Sequence, residues 1–228
     1  MRTLEELINK TDPAWPYVQE WIQASMNQIE ILPVTTSQAT IALLQTQVTT
    51  HSPMGAIIFE TGGLLVDHGW LRILGSGHDR LKRSIPDWNE GKSFLADGET
   101  PGFLLIADDV LGGFFAINGG DLGTDLGHVY YLAPDTLNWE NLHVSYSDFL
   151  DWCFTGDMNE FYQHQRWQGW EKEVAALDGD TAYSFVPFLW TTEGQDIANS
   201  SRKPVPIQEL YDLTQNFRAQ LHPPEEEN

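Results

Sequence analysis

Between residues 48 and 132, glycine-rich segments divide the chain into short apolar runs. The runs are rich in aliphatic and aromatic side chains: AIIFE, LLVDHG, WLRIL, FLLIA, GFFAIN and HVYYLA. The segments between them contain turn-forming residues: TGG, GSGHD, DDVLGG and NGGDLGTDLG. Glycine and asparagine adopt the positive backbone φ angles that tight turns require. Short strands joined by such turns are typical of an antiparallel sheet with hairpin connections.

Helical patterns flank this region on both sides. Four segments have helical spacing of apolar residues: DPAWPYVQEWIQASMNQ with its aspartate as N-cap, TSQATIALLQTQ, MNEFYQHQRWQGWEKEVAAL and PIQELYDLTQNFRAQL. A further helix is expected at SYSDFLDWCF, with Ser147 as its N-cap. IEILP and AYSFV read as additional strands that end at prolines. The chain is therefore predicted to have an α+β fold.

The polar segment at residues 79–102, DRLKRSIPDWNEGKSFLADGETPG, interrupts the sheet pattern and is predicted to be a long functional or variable loop. The 228 residues fit one domain, which we place at residues 1–222. An acidic, disordered tail is expected at 223–228.

Composition restricts where the chain resides. Cys153 is the single cysteine, which excludes a disulfide-stapled secreted scaffold. The first ten residues carry charges throughout and lack the apolar stretch of a signal peptide. No run approaches the roughly 18 apolar residues that a membrane span needs. We therefore predict a cytoplasmic protein without a membrane segment.

Net charge is the most extreme global property of the sequence, at −21. Residues 93–165 contain no lysine or arginine and carry twelve acidic residues, whereas residues 72–92 hold five bases against three acids. A surface this acidic repels a phosphate backbone, so direct nucleic-acid binding is not expected. The asymmetry indicates either a solubility device or a surface for a basic partner.

Motifs for enzymatic chemistry are incomplete. The GSG at 75–77 lacks the glycine spacing of a nucleophile elbow, and NEGKSF lacks the upstream glycine of a phosphate loop. The histidines show no metal-ligand spacing, so no metal or cofactor is predicted. Carboxylates on neighbouring turns leave a glycosidase open as an alternative. Turn chemistry explains those aspartates more simply.

Ordered short motifs in the sheet region resemble the SUKH superfamily, which includes many bacterial toxin-immunity proteins. They stand at Ile106–Asp109, Gly112–Gly113, Val129–Tyr130, Asp135, Ser147 and Phe149–Leu150. The chain also resembles a family of uncharacterised bacterial proteins in motifs at Ser52–Ile57, Glu60–Gly63, Asp67–His78 and Pro86–Gly91. The SUKH resemblance implies a mainly antiparallel sheet with helices on one face, extra terminal helices here, and action by protein binding without catalysis.

Together these observations predict a non-enzymatic, acidic protein-binding domain, in one version an immunity protein that neutralises a basic toxin. The predicted partner-binding residues are Asp108, Asp109, Asp121, Asp125, Trp139 and Glu140. The alternative is a protein or enzyme that binds a small anionic ligand around a basic loop. Its candidate residues are Trp70, Arg72, His78, Arg80 and Arg83, together with Lys82. A homodimer with a structural role is a third alternative.

Overall fold

The computed structural model describes residues 1–94 and 100–221, and a seven-stranded sheet dominates it. Strand order follows chain order and every neighbouring pair is antiparallel, which confirms the predicted α+β class. The strands are β1 (Ile29–Leu32), β2 (Gly63–Val66), β3 (Leu71–Leu74), β4 (Phe103–Asp109), β5 (Phe114–Asn118), β6 (Val129–Leu132) and β7 (Trp139–Asn141). A separate hairpin of β8 (Thr181–Val186) and β9 (Ser201–Pro206) is tied to the main sheet by the Tyr183 N–H, which donates to the Val110 carbonyl.

Helices precede, interrupt and follow the sheet. They are α1 (Leu4–Leu7), α2 (Trp15–Gln23), α3 (Thr36–Thr46), α4 (Pro53–Glu60), α5 (Ile85–Asn89), α6 (Tyr146–Thr155), α7 (Met158–Phe161), α8 (Trp170–Ala175) and α9 (Ile207–Leu221). None of the helices described is long and apolar enough to cross a membrane. The predicted tail at 223–228 lies outside the described residues.

Helices cover both faces of the sheet, so the expectation of helices on one face is wrong. Neighbouring residues of a strand point to opposite faces. On one face, Phe115 packs against Phe149 of α6, with ring centroids 5.1 Å apart. On the other face, Phe114 packs against Tyr211 of α9, also at 5.1 Å, and against Trp88 of α5. We call these the α6 face and the α9 face.

Three sequence expectations about local structure fail at helix N-termini. AIIFE was expected to be a strand but forms part of α4, because Ser52 caps the helix by accepting the Gly55 N–H and Pro53 occupies its first turn. Helix α6 is capped by Ser145 instead of Ser147, in a capping box with Asp148. Helix α2 begins after Ala14, so the aspartate predicted as its N-cap does not cap it.

The polar segment at 79–102 is not a free loop where it is described. Within it, α5 is packed into the core and Asn89 is fully buried. Strand β4 extends beyond the end of β3, and the Asn89 side chain takes the place of the missing strand. Its Oδ1 accepts the Leu105 N–H at 2.7 Å, and its Nδ2 donates to the Leu105 carbonyl at 2.8 Å.

Replacing Asn89 with alanine is expected to destabilise the fold by roughly 2–4 kcal/mol, because both backbone groups of Leu105 lose their buried partner. The free energy of unfolding in urea measures this effect. Asn216→Ala, at an exposed position of α9, is the matched control and should change stability by no more than about 0.5 kcal/mol. Equal effects of the two variants would show that Asn89 does not replace a strand.

Candidate functional site

Asp108 lies inside the protein, on the α9 face, and forms the centre of a buried ion cluster. It is fully buried, and so is Arg72, whose Nε donates to Asp108 Oδ1 at 2.6 Å. Arg83 donates to the second oxygen, Oδ2, at 2.5 Å and to Asp180 Oδ1 at 2.8 Å. Every oxygen of Asp108 therefore has a cationic partner, and the cluster fastens the hairpin of β8 and β9 to the main sheet.

Asp109 follows Asp108 and points to the α6 face, where it is also fully buried. Its Oδ1 accepts the backbone N–H groups of Leu111 and Gly113, both at 2.9 Å. Its Oδ2 accepts the hydroxyls of Tyr131 at 2.7 Å and Tyr162 at 3.1 Å. A side chain at Gly113 would collide with Tyr131 and Asp109, so glycine is required there.

Burial raises the pKa of Asp109 above its ordinary value of 3.8, although the hydrogen bonds from Tyr131 and Gly113 act in the opposite direction. Burial, reinforced by the charge of Asp109, also raises the pKa of Tyr131 and Tyr162 well above 10.0. Both tyrosines therefore remain protonated donors. Because Asp108 and Asp109 have no exposed surface, neither can belong to the predicted partner-binding face.

The residues of the predicted anion site do not line a common open pocket. Arg72 and Arg83 are held by Asp108, and Arg80 at the surface pairs with Glu30. The His78 ring accepts the Arg80 backbone N–H in a local turn. Trp70 is fully buried against Tyr162 on the α6 face, whereas Arg72 points to the α9 face. The geometry therefore gives no support to an anion pocket around this loop.

The other predicted partner-binding residues are at or near the surface. Asp121 and Asp125 are exposed in the turn between β5 and β6. Trp139 and Glu140 are neighbours on the edge strand β7 and point to opposite faces of the sheet. Glu140 lies opposite Tyr131, on the α6 face, whereas Trp139 packs against Phe103 on the α9 face. A partner that covers one face of the sheet would therefore contact only one of these two side chains.

An apolar pocket of about 230 Å³ opens between the segment after β7 and the two helices α6 and α7. Its lining residues are Leu142, Val144, Phe149, Trp152 and Phe161. The Asp125 side chain reaches this segment, because its Oδ2 accepts the Asn141 side-chain amide at 2.9 Å. The turn that holds Asp121 and Asp125 is thus hydrogen-bonded to the residue that directly precedes the pocket residue Leu142.

A polar depression of about 450 Å³ lies beside the other side of α7, and we call it the acidic pocket. Its charged or titratable lining residues are Asp67, His68, Asp157, Arg166 and Glu171. Arg166 forms an ion pair with Asp67 and donates to Asn159 Oδ1 at 2.6 Å. Its guanidinium also stacks on Trp170, 4.1 Å from the ring centroid.

The backbone around the acidic pocket is strained. Asp67 and His68 both have positive φ angles, 51° and 62°, in the left-handed region that favours glycine. Sequence reasoning identified neither pocket. Asp67 and His68 belong to the sequence motif at Asp67–His78, but only the fold places them in one pocket with Asp157 and Glu171.

Comparison with known proteins decides the family. The model of a family described as protein of unknown function DUF2625 matches residues 4–210. The chain belongs to the DUF2625 family. It is 48% identical over 213 residues to the uncharacterized protein YbfG of Escherichia coli (strain K12), covering 93% of this chain and 95% of that one. It is 46% identical over 189 residues to an uncharacterized protein of Haemophilus influenzae, covering 83% of each chain.

These DUF2625 relatives confirm the predicted resemblance to uncharacterised bacterial proteins. In residues 1–94 and 100–221 of this DUF2625 chain, no group of three His, Cys, Asp or Glu residues is arranged to hold a metal ion.

Replacing Asp108 with alanine is expected to destabilise this DUF2625 protein by about 3–5 kcal/mol, because Arg72 would remain buried without its counter-charge. Urea denaturation measures the loss. Asp151→Ala, at an exposed position of α6, removes the same charge and should cost no more than about 0.5 kcal/mol. If Asp108→Ala were as stable as Asp151→Ala, the buried cluster would not hold the hairpin in place.

Asp109 should produce a pH-dependent difference between the wild type and Asp109→Asn. The folded state binds the carboxyl proton more tightly than the unfolded chain does. The resulting stabilisation is complete below the ordinary pKa of 3.8 and is lost as pH rises through the raised pKa. The amide does not titrate, so the free energy of unfolding of the variant should improve relative to wild type as pH rises above about 4. A difference that is constant with pH would contradict the raised pKa.

Proposed function

We propose that this protein is a non-enzymatic binding domain whose acidic surface recognises a basic protein. The observation that carries the proposal is the segregation of charge. Residues 93–165 contain no lysine or arginine, and seven of their acids are exposed in the described chain. They are Asp121, Asp125, Glu140, Asp148, Asp151, Asp157 and Glu160.

The fold gathers most of these acids on one side. Asp148 and Asp151 belong to α6, Glu160 belongs to α7, and Asp157 caps α7. Glu140 is on the α6 face of the edge strand β7. This distribution argues against the alternative in which the acids scatter over several faces. We refer to the surface of α6, α7 and β7, together with the turn that holds Asp121 and Asp125 and is hydrogen-bonded to β7 through Asn141, as the acidic face.

Basic side chains on the α9 face lie on the opposite side of the sheet. Lys92 lies 4.0 Å from the Trp88 ring centroid, Arg83 is held in the ion cluster, and Arg218 donates to the Leu137 carbonyl. Bases are thus present on that side of the sheet and absent from residues 93–165, so the negative charge of the molecule is distributed unevenly. An uneven distribution of this kind orients a basic partner before contact and disfavours acidic ones.

The acidic face also contains an apolar anchor point. Protein interfaces obtain most of their affinity from a few buried apolar or aromatic contacts, while charges contribute specificity and association rate. The apolar pocket, with Trp152 and Phe161 partly exposed in its wall, provides such a position inside the acidic rim. Neutralisation of a basic toxin, as the resemblance to SUKH immunity proteins implies, is the specific form of this proposal.

Binding of a fluorescently labelled octalysine peptide tests the proposal. We expect a dissociation constant that rises steeply with salt, because the contact is electrostatic. The triple variant Asp121→Asn, Asp125→Asn and Glu140→Gln should weaken binding by roughly tenfold, about 1.4 kcal/mol. The matched control, Glu5→Gln, Glu193→Gln and Glu209→Gln, removes three exposed charges outside the acidic segment and should weaken binding less than about twofold.

Two results would refute the proposal. One is the absence of salt-dependent octalysine binding by the wild-type protein. The other is an equal loss of affinity in the two triple variants, which would show that total charge alone attracts the peptide.

A further inference from the structure

We propose that the apolar pocket and the acidic pocket bind one short segment of the basic partner together. The apolar pocket receives a large apolar side chain, and the acidic pocket receives a lysine or arginine about three residues away. This inference rests on the proposed function and names the chemistry of the segment that is recognised.

Helix α7 separates the two pockets, because its residues point in turn to the core, to the acidic pocket, to solvent and to the apolar pocket. Successive residues of an α-helix are rotated by about 100°. Met158 points inward and is 2% exposed. Asn159 lines the acidic pocket and Phe161 lines the apolar pocket, which places the pockets on opposite sides of the helix. Glu160 is exposed and stands on the ridge between them.

The size and lining of the apolar pocket select a side chain as its occupant. Pockets for drug-sized ligands measure about 300–1,000 Å³, whereas this one measures about 230 Å³. All five lining residues are apolar or aromatic. The exposed carboxylates of Asp148 and Asp151 are on the same helix as Trp152 and disfavour an acidic segment at its mouth.

The charges of the acidic pocket select a cation. Three carboxylates face one guanidinium, and Arg166 is already paired with Asp67. Glu171 is exposed and forms no salt bridge in the described part of the chain. Asp157 uses Oδ1 to cap α7, which leaves Oδ2 for a ligand. An ammonium or guanidinium group would therefore compensate an excess of negative charge.

The spacing of the two anchors follows from the helix between them. An α-helix with its side chains is about 10–12 Å across, and an extended peptide advances about 3.3–3.6 Å per residue. About three residues therefore carry a peptide over the Glu160 ridge from one pocket to the other. A free amine or a single apolar molecule would occupy one pocket and gain nothing from the second.

Four acetylated, amidated peptides test the inference by NMR titration of the whole protein. The two-anchor peptide is Phe-Gly-Gly-Lys. Two single-anchor peptides have norleucine for Lys or Ala for Phe, and Gly-Phe-Lys-Gly has adjacent anchors that cannot span α7. The two-anchor peptide should bind at least about tenfold more tightly than the other three, with shifts at both Leu142 and Glu171.

Variants assign each anchor to its pocket. Glu171→Gln should weaken the two-anchor and Lys-only peptides about three- to tenfold and leave the Phe–norleucine peptide unchanged. Leu142→Ala should weaken the Phe-containing peptides and leave the Lys-only peptide unchanged, and Val144→Ala replaces it if Leu142→Ala does not fold. Glu209→Gln and Ile41→Ala, at exposed positions of α9 and α3, are the matched controls.

The inference is overturned if the two-anchor peptide binds no more tightly than the Lys-only peptide, or if pocket and control variants behave alike. Octalysine separates this failure from failure of the proposed function. Salt-dependent octalysine binding that is lost in the Asp121, Asp125 and Glu140 variant keeps the acidic face as a binding surface without the two anchors. No octalysine binding removes the proposed function itself.

Discussion

The two adjacent aspartates at the end of β4 determine how the layers of this protein hold together. Because strand residues alternate between faces, Asp108 and Asp109 enter two different buried environments. Asp108 gathers two arginines on the α9 face, and Asp109 gathers two tyrosine hydroxyls and two backbone N–H groups on the α6 face. One dipeptide thus links the sheet to the segment before α5 on one face and to the end of α7 on the other through polar contacts.

The ion pairs of the arginines affect the charge of the surface. Arg72 and Arg83 are paired with Asp108, and Arg166 is paired with Asp67. The remaining acids of the acidic face therefore have few cations close to them. The overall charge of −21 is not spread evenly over the surface. Exposed acids without neighbouring bases in the sequence are concentrated on α6 and α7.

Sequence patterns predicted the elements well where local chemistry determines them. Except for AIIFE, the glycine-separated runs became strands of the sheet, and α3 and α9 formed where apolar periodicity placed them. The predicted site was less accurate, since turn chemistry cannot tell a solvated aspartate from one with a distant arginine. Asp108 pairs with Arg72, which is 36 positions away, and Asp109 meets Tyr162, 53 positions away. Burial of that kind depends on strand register and on a bulge near Ile106, which no local pattern displays.

The hydrogen bond from the Asn141 side-chain amide to Asp125 joins the end of β7 to the turn between β5 and β6, which are separate features in the sequence. Asn141 ends β7 and is followed directly by Leu142, a wall of the apolar pocket. The turn that holds Asp125 is therefore also a brace for the strand end that leads into the wall of the apolar pocket. A change that loosens this turn would alter both the position of its carboxylate and the shape of the pocket.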